Sequence, residues 1–173
     1  MTGNKPDHDP LPFREEIQSL LERLNRPETT KRVMIMDMPR TELVQAYMNA
    51  DLFVFASHIE YSPLVLFEAA AAGTAFLSAH VGNAEEIAEW TGAGVIGPSV
   101  IDKKGYTRID SKQFTARWVQ LMHDEEGRRE RGRHGKRNWA ARFTWERIAR
   151  QYETVFQQVC TVPAVTAEAF RRC

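Results

Sequence analysis

Two carboxylates, Glu60 and Glu68, stand in a setting where a carboxylate needs a reason. Between Leu64 and Ala72 every side chain except Glu68 is apolar, so the segment reads as a buried helix. An ionised acid there is costly unless donors satisfy it, and the two hydroxyls of a ligand diol are such donors. Glu60 precedes that helix in a loop, Ser57 to Pro63, which follows the apolar run Leu52-Phe53-Val54-Phe55. That run shows no polar alternation, as in a parallel strand buried on both faces. Ser62 can cap the helix, Pro63 suits its first position, and Gly73 suits its end. The amides opening the helix at Pro63-Leu64-Val65 can face a phosphate, because helix N-termini attract anions.

The elements needed to hold these residues can be read in order. Met1–Pro12 is polar and proline-rich and reads as a flexible lead-in. Ile17, Leu20, Leu21 and Leu24 have helical spacing within residues 13–24, and Asn25–Thr30 is turn-rich. Val33–Met36 is expected as a short strand. Thr41 is expected to cap a helix running to Ala50, with Leu43, Val44, Tyr47 and Met48 on one face. After the central helix come a strand at Ala75–Ser78, a loop at 79–83 and a helix from Ala84. A brief strand at Val95–Ile96 and a loop over residues 97–110 follow. Three helices over 111–124, 126–142 and 145–159 close the domain, which spans residues 13–160, with a tail at 161–173. Alternating strands and helices imply an α/β, Rossmann-like parallel sheet with flanking helices. Ligands of such folds bind outside the carboxyl ends of the strands, where residues 57–60 and 78–83 lie.

Composition narrows the field. With 43% hydrophobic and 27% charged residues, the chain reads as globular. Lys+Arg and Asp+Glu both total 23, so overall charge points to no nucleic-acid partner. Cys160 and Cys173 are too few for a disulfide framework, which fits reduced thiols in the cytoplasm. No apolar run reaches membrane-spanning length, and residues 1–10 contain no signal-peptide core. The five histidines are scattered, so no metal cluster is legible.

The Glu60–Glu68 pair, the following Ala-Ala-Ala-Ala-Gly-Thr and the later Val81-Gly82-Asn83-Ala84-Glu85-Glu86-Ile87 resemble the C-terminal half of the retaining glycosyltransferases of family 4, which have the GT-B fold. The resemblance runs from about Arg40 to Val159 and includes Ala50-Asp51 before the central strand and Phe143-Thr144-Trp145 before the last helix. It implies that Glu60, the catalytic candidate, faces the donor hexose and that Glu68 holds the ribose of a nucleotide-diphosphate sugar, without a metal or other cofactor. The donor-binding candidates are Ser57, Glu60, Ser62, Pro63, Leu64, Val65, Glu68 and Gly82. Ser57 serves equally well as a loop cap, and Gly82 first of all suits a turn with positive φ. The common family loop carries Gly after the first Glu, whereas this chain has Tyr61-Ser62-Pro63.

Other residues have plainer readings. His58 and His80 are expected as solvated loop residues, Glu86 as a helix-dipole partner, and Trp90, Trp118 and Trp139 as packing residues. The basic stretch 128–150 reads as a solvated helix face, with peripheral contact to anionic lipid at the inner membrane face as its alternative. The resemblance also implies an Arg and a Lys on the donor diphosphate, in a first strand-loop with no counterpart here. The fold is therefore expected to lack its first two strands, leaving the edge beside Leu52–Phe55 open. Three outcomes are expected at that edge: Val33–Met36 pairs with it, a second copy covers it, or a separate N-terminal half supplies the strands. Alone, the chain is expected to transfer no sugar. The alternative function is a non-catalytic nucleotide-binding or partner-docking module; a nucleotide-sugar epimerase shares the architecture, with nothing specific in its favour.

Overall fold

The computed structural model describes residues 11–161. The chain divides into two compact units with their boundary between Pro39 and Arg40. The lead-in up to Pro10 and the tail from Val162 lie outside the described residues.

The first unit contributes α1 (Leu11–Leu24). Asn25 then closes the following turn, exchanging two hydrogen bonds of 2.7 Å with the backbone of Val33. Val33–Met36 is not a strand. These residues are irregular, and Met34 and Ile35 are largely exposed. An apolar run becomes a strand only where another strand accepts its ladder, and the described residues of the first unit contain no strand.

The second unit carries the sheet. Its elements are α2 (Arg40–Asn49), β1 (Phe53–Phe55), α3 (Leu64–Ala72), β2 (Phe76–Ser78), α4 (Ala84–Thr91) and β3 (Gly94–Ile96). Then follow β4 (Ser99–Ile101), β5 (Thr107–Ile109), α5 (Ser111–His123), α6 (Glu125–Arg142) and α7 (Trp145–Thr161). The strands β1-β2-β3 pair in parallel, with Val54 opposite Leu77 and Leu77 opposite Val95.

Strand side chains alternate between faces and so divide the core in two. Phe53, Phe55, Phe76 and Ile96 pack with Tyr47, Leu66, Ala69, Ala70 and Ile87 of α2, α3 and α4. On the other face Leu52, Val54, Leu77 and Val95 meet Phe114 and Leu121 of α5. The result is an α/β sandwich around a parallel three-stranded sheet. β1 is half-buried, not fully buried as its composition predicted, because it is the sheet's edge.

Several local expectations shift. Arg40, not Thr41, opens α2. Ser62 does not cap α3: Pro63 takes the N-cap place, with φ −73° and ψ 93°, and provides no side-chain cap. The expected loop over 97–110 contains the antiparallel β4–β5 hairpin. α3 is not buried all round, since Leu64 is 66% exposed. Trp118 is exposed as well, whereas Trp90 and Trp139 pack against the core.

The basic helix α6 is more than a solvated face. Arg128 is buried and donates to Asp51 O at 3.1 Å, Leu121 O at 2.6 Å and Met122 O, tying the end of α5 to the entry of β1. Such a cation satisfies helix-terminal carbonyls that lack intrahelical partners. Gly132 and Gly135 are buried where α6 crosses the sheet-covering helices.

Candidate functional site

The site lies beyond the carboxyl ends of β1 and β2, where the chain leaves the sheet in two loops, residues 56–63 and 79–83. Gly82 locks them together. Its φ is +52°, and a Cβ there would stand 2.5 Å from Tyr61 O and 2.9 Å from Glu60 O. Asn83 N also donates to Tyr61 O at 3.2 Å. Gly82 is thus required both for its backbone conformation and for the close approach of the Glu60 loop.

The β4–β5 hairpin braces both loops through buried Thr107. Thr107 N donates to His58 O at 2.8 Å, and its hydroxyl donates to His80 O at 2.7 Å. His58 Nδ1 lies 2.8 Å from Thr107 O, and His80 N donates to Ser99 Oγ at 2.8 Å. His58 is exposed and the His80 side chain partly so, as expected of solvated loop residues, and both also belong to this scaffold. His80 Nε2 also lies 3.3 Å from Glu85. Ser57 Oγ donates within its own loop, to Ile59 O at 3.1 Å, which is the loop-cap arrangement.

Glu60 is half-buried in the loop, Ser62 exposed, Pro63 buried and Val65 half-buried. Glu68 sits on α3 four residues beyond Leu64, about 6 Å further along the helix axis. α3 closes as expected at Gly73, whose φ of +86° places it in the left-handed region. Glu86 lies in the first turn of α4, where an acid favours the helix dipole.

The carboxylate of Glu68 already has a partner. Arg40, at the start of α2, places Nη2 2.8 Å from Glu68 Oε1. Its pKa is raised above the ordinary arginine value, by the hydrogen bond to Glu68 and then by that charge. Beside them, burial raises the pKa of the Tyr47 phenol, and the Glu68 charge adds to the rise. Arg40 and Tyr47 were absent from the sequence-derived site. The chain separation of Arg40 and Glu68 hides them, and only the packing of α2 on α3 brings them together. Among the described residues no group of three or more potential ligands is placed to hold a metal ion.

The parallel sheet, its flanking helices and the loops at its carboxyl edge are similar in fold to those of a GT-B glycosyltransferase. Sucrose-phosphate synthase from Thermosynechococcus elongatus superposes with a TM-score of 0.64 at 24% identity, over 93% of this chain and 38% of that one. The chain thus spans well under half the length of the enzyme it matches, and the likeness shows the fold. Residues 9–152 match the family described as Family 4 Glycosyltransferase in conflict systems, and the chain belongs to that family. No curated protein matches it.

Proposed function

We propose that this chain is the donor-binding part of a retaining glycosyltransferase, taking a nucleotide-diphosphate sugar whose sugar is passed to an acceptor. Glu60 faces the hexose and Glu68 the ribose, while the amides opening α3 at Leu64 and Val65 meet the diphosphate. The observation that carries this reading is the clamp of Gly82 on Tyr61, which fixes the Glu60 loop at the mouth of the crevice just ahead of α3. The task left to such a site is to stabilise charge on the leaving diphosphate and the oxocarbenium-like sugar. Transfer needs an acceptor-binding half, supplied by a separate N-terminal domain or by another subunit. The exposed apolar stripe of α7, Trp145, Tyr152, Phe156 and Val159, supports such docking. The expected location is the cytoplasm, and no helix among the described residues is long and apolar enough to cross a membrane.

Calorimetric titration with UDP, GDP and ADP, then with the sugar conjugate of whichever binds, tests the assignment. Binding of one diphosphate, and tighter binding of its conjugate, is expected. Lack of affinity for all three would overturn it. A non-catalytic nucleotide-binding or partner-docking module is the second reading, favoured by the Arg40–Glu68 pair, since it satisfies the carboxylate with no ligand present. Sugar transfer by the chain together with an acceptor-binding half would exclude it.

A further inference from the structure

Away from the crevice, the elbow where α6 turns into α7 forms an open cavity of about 520 Å³ against the end of α4. That volume lies within the range of small-molecule sites. Three arginines line it: Arg142 from the last turn of α6, and Arg147 and Arg150 from the start of α7. Its apolar lining is Trp90, Phe143 and Ile148. No carboxylate lines it among the described residues.

Two features show that the cavity is organised. Arg142 is held in place, with Nη1 donating to Trp90 O at 3.4 Å and its guanidinium 5.1 Å from the Phe143 ring centre. The rings of Trp90 and Phe143 are stacked with centres 6.0 Å apart, backed by Phe67 at 4.9 Å from Phe143. The flat lining is therefore anchored to the core, not formed by loose surface side chains. The positive end of the α7 dipole lies at the same place: Arg147 N and Ile148 N both donate to Thr144 O at 3.0 Å in its opening turn. The one carboxylate of that turn, Glu146, is engaged by its own backbone N–H and the Thr144 hydroxyl, with the charge of Arg150 a smaller influence.

Three arginines thus line one concavity, and the forked geometry of a guanidinium fits phosphate oxygens. We propose that the elbow cavity binds a small molecule carrying two or more phosphate groups. The phosphates engage Arg142, Arg147 and Arg150, and any planar group of the ligand lies on Trp90 and Phe143. This site is separate from the crevice of Glu60 and Glu68 and does not depend on its assignment.

The test is calorimetric titration of the full chain with tripolyphosphate and, in parallel, with ATP at physiological salt. Both probes are expected to bind. The Arg147→Ala/Arg150→Ala double variant should weaken them about tenfold or more. The pair Arg133→Ala/Arg137→Ala, equal in charge but outside the cavity, should have little effect. Circular dichroism and melting confirm that each variant folds. Tighter binding of ATP than of tripolyphosphate, lost in the Arg147→Ala/Arg150→Ala variant, assigns a nucleotide ligand that uses the aromatic lining; equal binding assigns recognition through phosphates alone. Failure of both probes to bind, or an equal loss in the two arginine pairs, would overturn the proposal.

Discussion

Arg40 and Glu68 meet at 2.8 Å between the first residue of α2 and the middle of α3, with the Tyr47 phenol beside them. The carboxylate is thus paired and oriented before any ligand arrives. If it accepts ribose hydroxyls, Glu68→Gln keeps the shape and loses a charge-assisted hydrogen bond. Nucleotide binding should weaken by about 1.5–3 kcal/mol while the melting temperature changes little. Calorimetry on both forms measures this, and equal affinities would remove Glu68 from the ligand.

Glu60 should discriminate differently. It precedes α3 in the clamped loop, on the side expected to meet the sugar. Glu60→Ala should lower affinity for the nucleotide sugar and leave the bare nucleoside diphosphate unaffected. A matching loss for both ligands would point to a structural role for the loop carboxylate.

Gly132 offers a test of packing. A Cβ on this residue of α6 would stand 2.0 Å from the carbonyl oxygen of Gly73. Alanine is favoured over glycine inside a helix by about 1 kcal/mol, which opposes the clash. Backbone cannot swing aside as a side chain does, so the clash should win. Gly132→Ala should destabilise the domain by about 1–3 kcal/mol, read by denaturant titration.

Asp110 gives a pH signature. It caps α5, accepting from Gln113 N at 3.1 Å, Lys112 N at 2.9 Å and the Gln113 side chain at 2.8 Å. These bonds, led by that from Gln113 N, lower its pKa. A lowered folded-state pKa means the contribution is complete above the unfolded value, near pH 4, and is lost as pH falls through the folded one. Asp110→Ala should lower the melting temperature at pH 7 by about 2–4 °C, with the difference from wild type vanishing in acid. An unchanged difference at low pH would show that the charge is immaterial.

What was legible in the sequence was local. The central helix with its glycine stop, the apolar strands and the positive φ of Gly82 follow from the shape of a few neighbouring residues. Val33–Met36 misled because strand propensity describes a residue's fit to a sheet and cannot supply the neighbouring strand. The β4–β5 hairpin was missed because its strands, Ser-Val-Ile and Thr-Arg-Ile, mix polar and apolar residues and lack the unbroken apolar run of β1. Its signal lay in the turn: Asp102 accepts from Lys104 N and Tyr106 N, and Gly105 has φ +83°. The basic composition of 128–150 hid Arg128, whose burial depends on carbonyls from α5 and from Asp51. The Arg40–Glu68 pair was beyond reach, since it exists only once two helices have packed.

Thr107 gives the crevice a mechanical character. Its amide and hydroxyl hold His58 and His80, one from each loop, so neither loop can shift without straining the hairpin. The hairpin in turn carries an exposed tip at Lys103 and Lys104. A shift of either loop on ligand binding is therefore expected to reach that tip, and a spectroscopic label on Lys104 tests this without touching any residue proposed to meet the ligand.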